Sequence, residues 1–166
     1  MLAEKYADEI AKVLEKYPPE HKRSAVMPLL FLAQREYGHI SQEALDEIGA
    51  LLELDPTEVG SLVGFYTLYY DKPEGKFRIQ ICTDLPCALR GSEQFAQQLC
   101  EALEIEPGET TPDGMITVET VMCLAACDKA PMFQLQEPEG IHYHEKMTVE
   151  ATLELIEELR RRANDD

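Results

Sequence analysis

Apolar positions between Ala3 and Tyr17 recur at helical spacing, with Ile10, Val13 and Leu14 on one stripe. Pro18 and Pro19 end that segment, because proline cannot continue a helix. A second helix is expected from about Arg23 to Tyr37, stopped by Gly38, a residue suited to the left-handed conformation just past a helix end. Ser41 is placed to cap a third helix whose Leu45, Ile48 and Leu52 face inward. Asp55, Pro56 and Glu58 form a start signal for a fourth. The first seventy residues therefore read as a small helical bundle.

Turn residues crowd together from Asp71 to Gly75, and beyond them the period changes. Phe77, Ile79 and Ile81 alternate with Arg78 and Gln80, which predicts a strand with one buried face that delivers Cys82 at its end. Ser92 is the expected cap of a helix carrying Phe95, Leu99 and Leu103. The turns at Pro107-Gly108 and Pro112 to Gly114 then lead into a second strand, Ile116 to Met122, which delivers Cys123. Met132 to Gln136 and Ile141 to His144 read as two more strands joined across Pro138 to Gly140, and Thr148 to Arg161 as a closing helix. The order β-α-β-β-α suggests a thioredoxin-like sheet. The fold class expected is thus α+β, a helical bundle over residues 1–70 followed by a thioredoxin-like α/β domain over residues 71–166. Both cysteine-bearing loops would sit at strand ends near one edge of the sheet.

Those loops hold four of the five cysteines in two tight pairs, Cys82 with Cys87 and Cys123 with Cys127. Thiolates are the usual iron-sulfur ligands, so two loops that each present a pair suit a [2Fe-2S] cluster and one-electron transfer. Structural zinc also takes four thiolates, but it more often spaces them by two to four residues in small modules that the metal folds. A thioredoxin-type redox pair prefers two intervening residues, whereas the gaps here are four and three. Disulfides would require an oxidising compartment, and Met1 to Glu9 is acidic and amphipathic with no secretory apolar run. Spacing favours the cluster and leaves zinc and thiol chemistry open.

Composition narrows the partners. The chain has 166 residues, 45% of them hydrophobic, enough to bury a core without metal. Its net charge of -17 opposes nucleic acid and anionic lipid, so neither nucleic-acid binding nor direct membrane insertion is expected. Apolar runs are broken by charge before they could span a bilayer.

The stretch from Ile81 through Cys82, Asp84, Pro86 and Cys87 to Gly91 and Ser92, the turn residues Pro107 to Asp113, and Cys123 to Cys127 followed by Ala130, Pro131 and Met132 together resemble a known family. It is that of the thioredoxin-like [2Fe-2S] ferredoxins, in particular the [2Fe-2S] member of bacterial NADH-quinone oxidoreductase, respiratory complex I. The resemblance extends upstream through Met27 to Leu30, Gly38 to Ile40 and Val63 to Thr67, and so covers nearly the whole chain. It implies that Cys82, Cys87, Cys123 and Cys127 ligate one [2Fe-2S] cluster. It also implies a flavoprotein partner that binds NADH and FMN and carries a [4Fe-4S] cluster, further subunits, and a cytoplasmic place in the peripheral arm of a membrane-bound complex. Two positions depart from the family pattern: Ala125 stands where glycine is usual, and Met122 where an acidic residue often precedes Cys123. Both changes are expected to tune potential rather than abolish binding.

Other residues carry milder expectations. Cys100 reads as a small core residue on its helix, and His142 and His144 as solvated strand histidines rather than ligands. Tyr66, Tyr69 and Tyr70 suit either an interface patch or packing between the bundle and the sheet. Arg90, near Cys87, would stabilise the reduced form of an anionic cluster or else form a surface ion pair of little consequence. With no glycine-rich dinucleotide loop and no acid-base constellation, the chain reads as an electron-transfer subunit of an oxidoreductase without a catalytic site of its own. The alternatives are the small diaphorase subunit of an NAD-linked hydrogenase or formate dehydrogenase and, from another class, a free-standing thioredoxin-like ferredoxin.

Overall fold

Contacts divide the computed structural model, which describes residues 1–137 and 140–165, into two compact units, Met1–Pro73 and Glu74–Asp166. The first unit is helical: α1 (Leu2–Lys5), α2 (Ala7–Leu14), a 3-10 stretch (Pro19–Ala25), α3 (Val26–Tyr37), α4 (Gln42–Leu52) and α5 (Pro56–Phe65). Its core gathers Leu2, Ile10, Leu29, Leu30, Ile48, Leu52 and Val59, all essentially removed from water. Removing side chains of this size from water is what drives such a bundle together, at about 25 cal/mol per Å² of apolar surface.

The predicted capping chemistry operates at α3, α4 and α5. Gly38 closes α3 at φ 77°, where a Cβ would be strained. Ser41 Oγ accepts the Ala44 amide at 3.3 Å, and Asp55 Oδ1 accepts that of Thr57 at 2.8 Å with Pro56 opening α5. The expected single helix from Ala3 to Tyr17 is instead two pieces broken at Tyr6, which leaves helical geometry at φ -121°, ψ 27°. A tertiary contact explains the break. The Tyr6 hydroxyl donates to Glu36 at 2.6 Å, Lys5 pairs with the same carboxylate and Arg35 with Glu9, so this corner is tied to α3. α3 itself starts at Val26 rather than Arg23, the preceding residues taking the tighter 3-10 form.

The second unit contains β1 (Phe77–Cys82), α6 (Leu85–Ala88), α7 (Ser92–Leu103), β2 (Glu109–Thr110), β3 (Ile116–Val121), a 3-10 turn (Cys127–Lys129), β4 (Phe133–Glu137), β5 (Gly140–His144) and α8 (Val149–Asp165). The strands form one sheet in the order β2-β3-β1-β4-β5. β1 and β3 run parallel, and every other pairing is antiparallel. Phe77, Ile79, Ile81, Ile116, Val118, Phe133 and Leu135 form one apolar face, packed with Phe95 and Leu99 of α7 and Ile156 and Leu159 of α8. The expected turn between the last two strands falls partly on Pro138 and Glu139, which lie outside the described residues.

Three expectations need correction here. β1 is buried along its whole length, not on one face, because it is the central strand and its polar side chains are locked into a network. Arg78 pairs with Glu74 and Glu119, while Gln80 Oε1 accepts from both Gln134 and Gln136. Ser92 does not cap α7. Gly91, at φ 89°, occupies the cap, and the buried Ser92 hydroxyl finds no hydrogen-bond partner among the described residues. Finally, Tyr69 is not an exposed interface residue: it is 4% exposed in the first unit's own core and donates to the Met27 carbonyl at 3.2 Å.

Candidate metal centre

Because β1 and β3 are adjacent and parallel, with Cys82 in register with Val121, both cysteine loops leave the same end of the sheet. They do so from its middle strands rather than from a lateral edge, which corrects the expected placement. Cys82 is the last residue of β1 and is buried. Asp84 then accepts the Leu85 amide at 2.8 Å and Pro86 follows, so the chain turns at once into α6, which returns Cys87 to a buried position. Cys123 lies two residues beyond β3 and is exposed. Cys127 opens the 3-10 turn and is half-buried.

Cys82, Cys87 and Met132 form a small apolar cluster of their own, with Leu124, Ala126, Cys127 and Ala130 packed against it. Burial pushes the Cys87 thiol up to about 12, and hydrogen bonding and charge from Cys82, then from Cys127, add to the effect. Cys82, Cys87 and Cys127 thus share one packed cluster. Cys123 stands at the rim, its sulfur receiving the Ala125 amide at 3.4 Å. Among the described residues, no three or more His, Cys, Asp or Glu side chains form a set that could hold a single metal ion. The donor set does fit a two-iron cluster, which takes sulfur ligands two to each iron. It is all thiol, with one pair from each loop, above an apolar floor, and any cation seated there would pull the Cys87 thiol toward its ionised form.

The second loop is held in a strained shape. Ala125 lies at φ 57°, left-handed geometry that costs an alanine about 1–2 kcal/mol. Ala125→Gly should relieve that strain, partly offset by roughly 0.4–1 kcal/mol of extra freedom in the unfolded chain. A net gain of about 0.5–1 kcal/mol is expected, read as a higher urea midpoint at unchanged slope. A lower midpoint would contradict the strained conformation.

The remaining candidates are sorted by their surroundings. Cys100 is 3% exposed among Phe95 and Leu99, and burial raises its thiol pKa, as suits a core residue. His142 is exposed beside Glu137, as expected. His144 is half-buried, its ring stacked 5.0 Å from that of Phe133 and its pKa lowered chiefly by burial, so it is a packing residue more than a solvated one. Arg90 forms no ion pair with a carboxylate among the described residues. Its Nη1 donates to the Cys127 carbonyl at 3.1 Å. Sequence reasoning missed that three large apolar side chains close to the cysteines in the chain, Leu85, Leu89 and Met122, are exposed. The spacing of Leu85 and Leu89, one turn apart about Cys87, is the signal that would have found two of them.

Comparison with known proteins bears on the same residues. The model of the thioredoxin-like [2Fe-2S] ferredoxin family matches residues 10–160. NADH-quinone oxidoreductase subunit 2 of Thermus thermophilus is 40% identical over 146 residues, covering 88% of this chain and 81% of that protein. A corresponding subunit of the NADH-quinone oxidoreductase of Rhizobium meliloti is 39% identical over 153 residues, covering 92% and 88%. Among solved structures, an NAD+-reducing [NiFe]-hydrogenase in the air-oxidized state matches 81% of this chain with a TM-score of 0.66 at 22% identity. That likeness is one of fold, and the chain spans only 23% of the hydrogenase chain.

Proposed function

The chain belongs to the thioredoxin-like [2Fe-2S] ferredoxin family, and on that premise we propose that it is a one-electron transfer subunit in the NADH-oxidising module of an NADH-quinone oxidoreductase. Cys82, Cys87, Cys123 and Cys127 are its cluster ligands, and the subunit works beside a flavoprotein that binds NADH and FMN and carries a [4Fe-4S] cluster. The observation that carries this reading is the meeting of Cys82, Cys87 and Cys127 at the ends of two adjacent parallel strands, with Cys123 on the same loop as Cys127.

A bound [2Fe-2S] cluster supplies a centre that accepts and returns single electrons. Everything else in the role falls to the protein. The buried pair Cys82 and Cys87 forms the inner wall and keeps water from it, while the exposed Cys123 and the exposed side chains of Leu85, Leu89 and Met122, its neighbours and those of Cys87 along the chain, offer the way to a partner's surface. The Met1–Pro73 unit, whose Phe65 is 76% exposed next to an exposed Tyr66, serves partner docking. No described helix is long and apolar enough to cross a membrane, which is consistent with attachment to a membrane-bound complex through other subunits.

Isolation of the native complex tests the proposal. The expected companions are an NADH- and FMN-binding flavoprotein and quinone-reducing subunits. Recovery with a hydrogenase or formate dehydrogenase catalytic subunit would move the same module to another NADH-linked enzyme, and recovery alone as a homodimer would contradict a docking role.

A further inference from the structure

The second cysteine loop, from Met122 to Ala126, runs outside helix and strand, and two side chains from distant parts of the same unit grip its backbone. Tyr143, on the edge strand β5, donates its hydroxyl to the Leu124 carbonyl at 2.9 Å. Arg90, in the turn between α6 and α7, donates Nη1 to the Cys127 carbonyl at 3.1 Å. One grip falls on the residue after Cys123, and the other on Cys127 itself. The Arg90 contact also joins the two cysteine loops directly, since Arg90 lies three residues beyond Cys87.

Neither side chain contributes much to the fold. Tyr143 is 49% exposed and Arg90 is exposed, and hydrogen bonds in such positions add little to global stability. Their effect concentrates on the loop, because Cys123 has no burial to hold it and Ala125 sits in left-handed geometry that would relax if released. We infer that Tyr143 and Arg90 are positioning residues that fix the second cysteine pair against the first, with Arg90 also placing a permanent positive charge beside the centre. This inference rests on the reading of the four cysteines as cluster ligands.

The two roles separate by substitution in the full chain. Tyr143→Phe removes only the hydroxyl, and Arg90→Gln removes the charge. Each should speed loss of iron to the chelator bathophenanthroline by about tenfold, with the melting temperature of the cluster-free protein unchanged. Arg90→Gln should also lower the midpoint potential, because a cation favours the electron-rich state, whereas Tyr143→Phe should leave it in place and Arg90→Lys should restore it. Iron loss within twofold of the parent in both variants would overturn the inference, as would acceleration that merely tracks a lower melting temperature. A parent protein that binds no iron at all would sink the ligand assignment together with this inference, whereas an iron-loaded parent with indifferent variants would sink the inference alone.

Discussion

Serine in place of any one of Cys82, Cys87, Cys123 or Cys127 is expected to abolish or severely destabilise the iron-sulfur centre. The cause differs with position. At Cys82 and Cys87 a hydroxyl would be buried in an apolar pocket, at a cost of about 1–3 kcal/mol if unpaired, in addition to the loss of a soft donor. At Cys123 the site is exposed, so the fold should be untouched and the effect should fall on iron content alone. Cys100→Ser supplies the control. That side chain lies in the α7 core, so its replacement should lower stability by about 1–3 kcal/mol while leaving the visible and EPR spectra of the centre unchanged. Loss of the EPR signal in the Cys100 variant would overturn its assignment to the core.

Removing the helical unit should separate cluster assembly from partner binding. A chain that begins near Asp71 keeps both cysteine loops and the apolar core that positions them, all of which lie in Glu74–Asp166. It should load iron yet fail to co-elute with the flavoprotein on a sizing column. The same loss is expected from Phe65→Ser in the full chain, where the residue is 76% exposed and its replacement should change stability by no more than about 0.5 kcal/mol. The contact should be apolar, because obligate interfaces resemble a core cut in half. It should therefore persist at 1 M salt, where screening shortens to about 3 Å. Co-elution of the truncated chain as tight as that of the full one would refute a docking role for the bundle.

How much of this was legible beforehand depended on whether the information was local. Ser41, Asp55 and Gly38 act on backbone groups within three or four residues, so their roles at helix ends could be read directly. Strand periodicity located β1 and β3 and hence both cysteine loops. The misses share a non-local cause. The break at Tyr6 reflects a partner thirty residues away, and full burial of Arg78 and Gln80 depends on Glu119, Gln134 and Gln136 arriving on neighbouring strands. α6 has four residues and β2 two, too few to show a period, although Asp84 and Pro86 carried a start signal for the former. Within the site, the cysteine types and spacings were legible, but the exposure of Cys123 was not. The contacts of Arg90 and Tyr143 to the second loop span 37 and 19 residues, and nothing in their own neighbourhoods announces them.

The two cysteine pairs at the ends of β1 and β3 should together hold one binuclear iron-sulfur centre. Its most direct measurement is the iron, acid-labile sulfide and zinc content of the anaerobically purified full chain, paired with EPR of the dithionite-reduced protein. About two irons and two sulfides per chain, no zinc, and a signal from a one-electron-reduced binuclear centre are expected. Zinc in place of iron, with no sulfide and no EPR signal, would contradict this expectation.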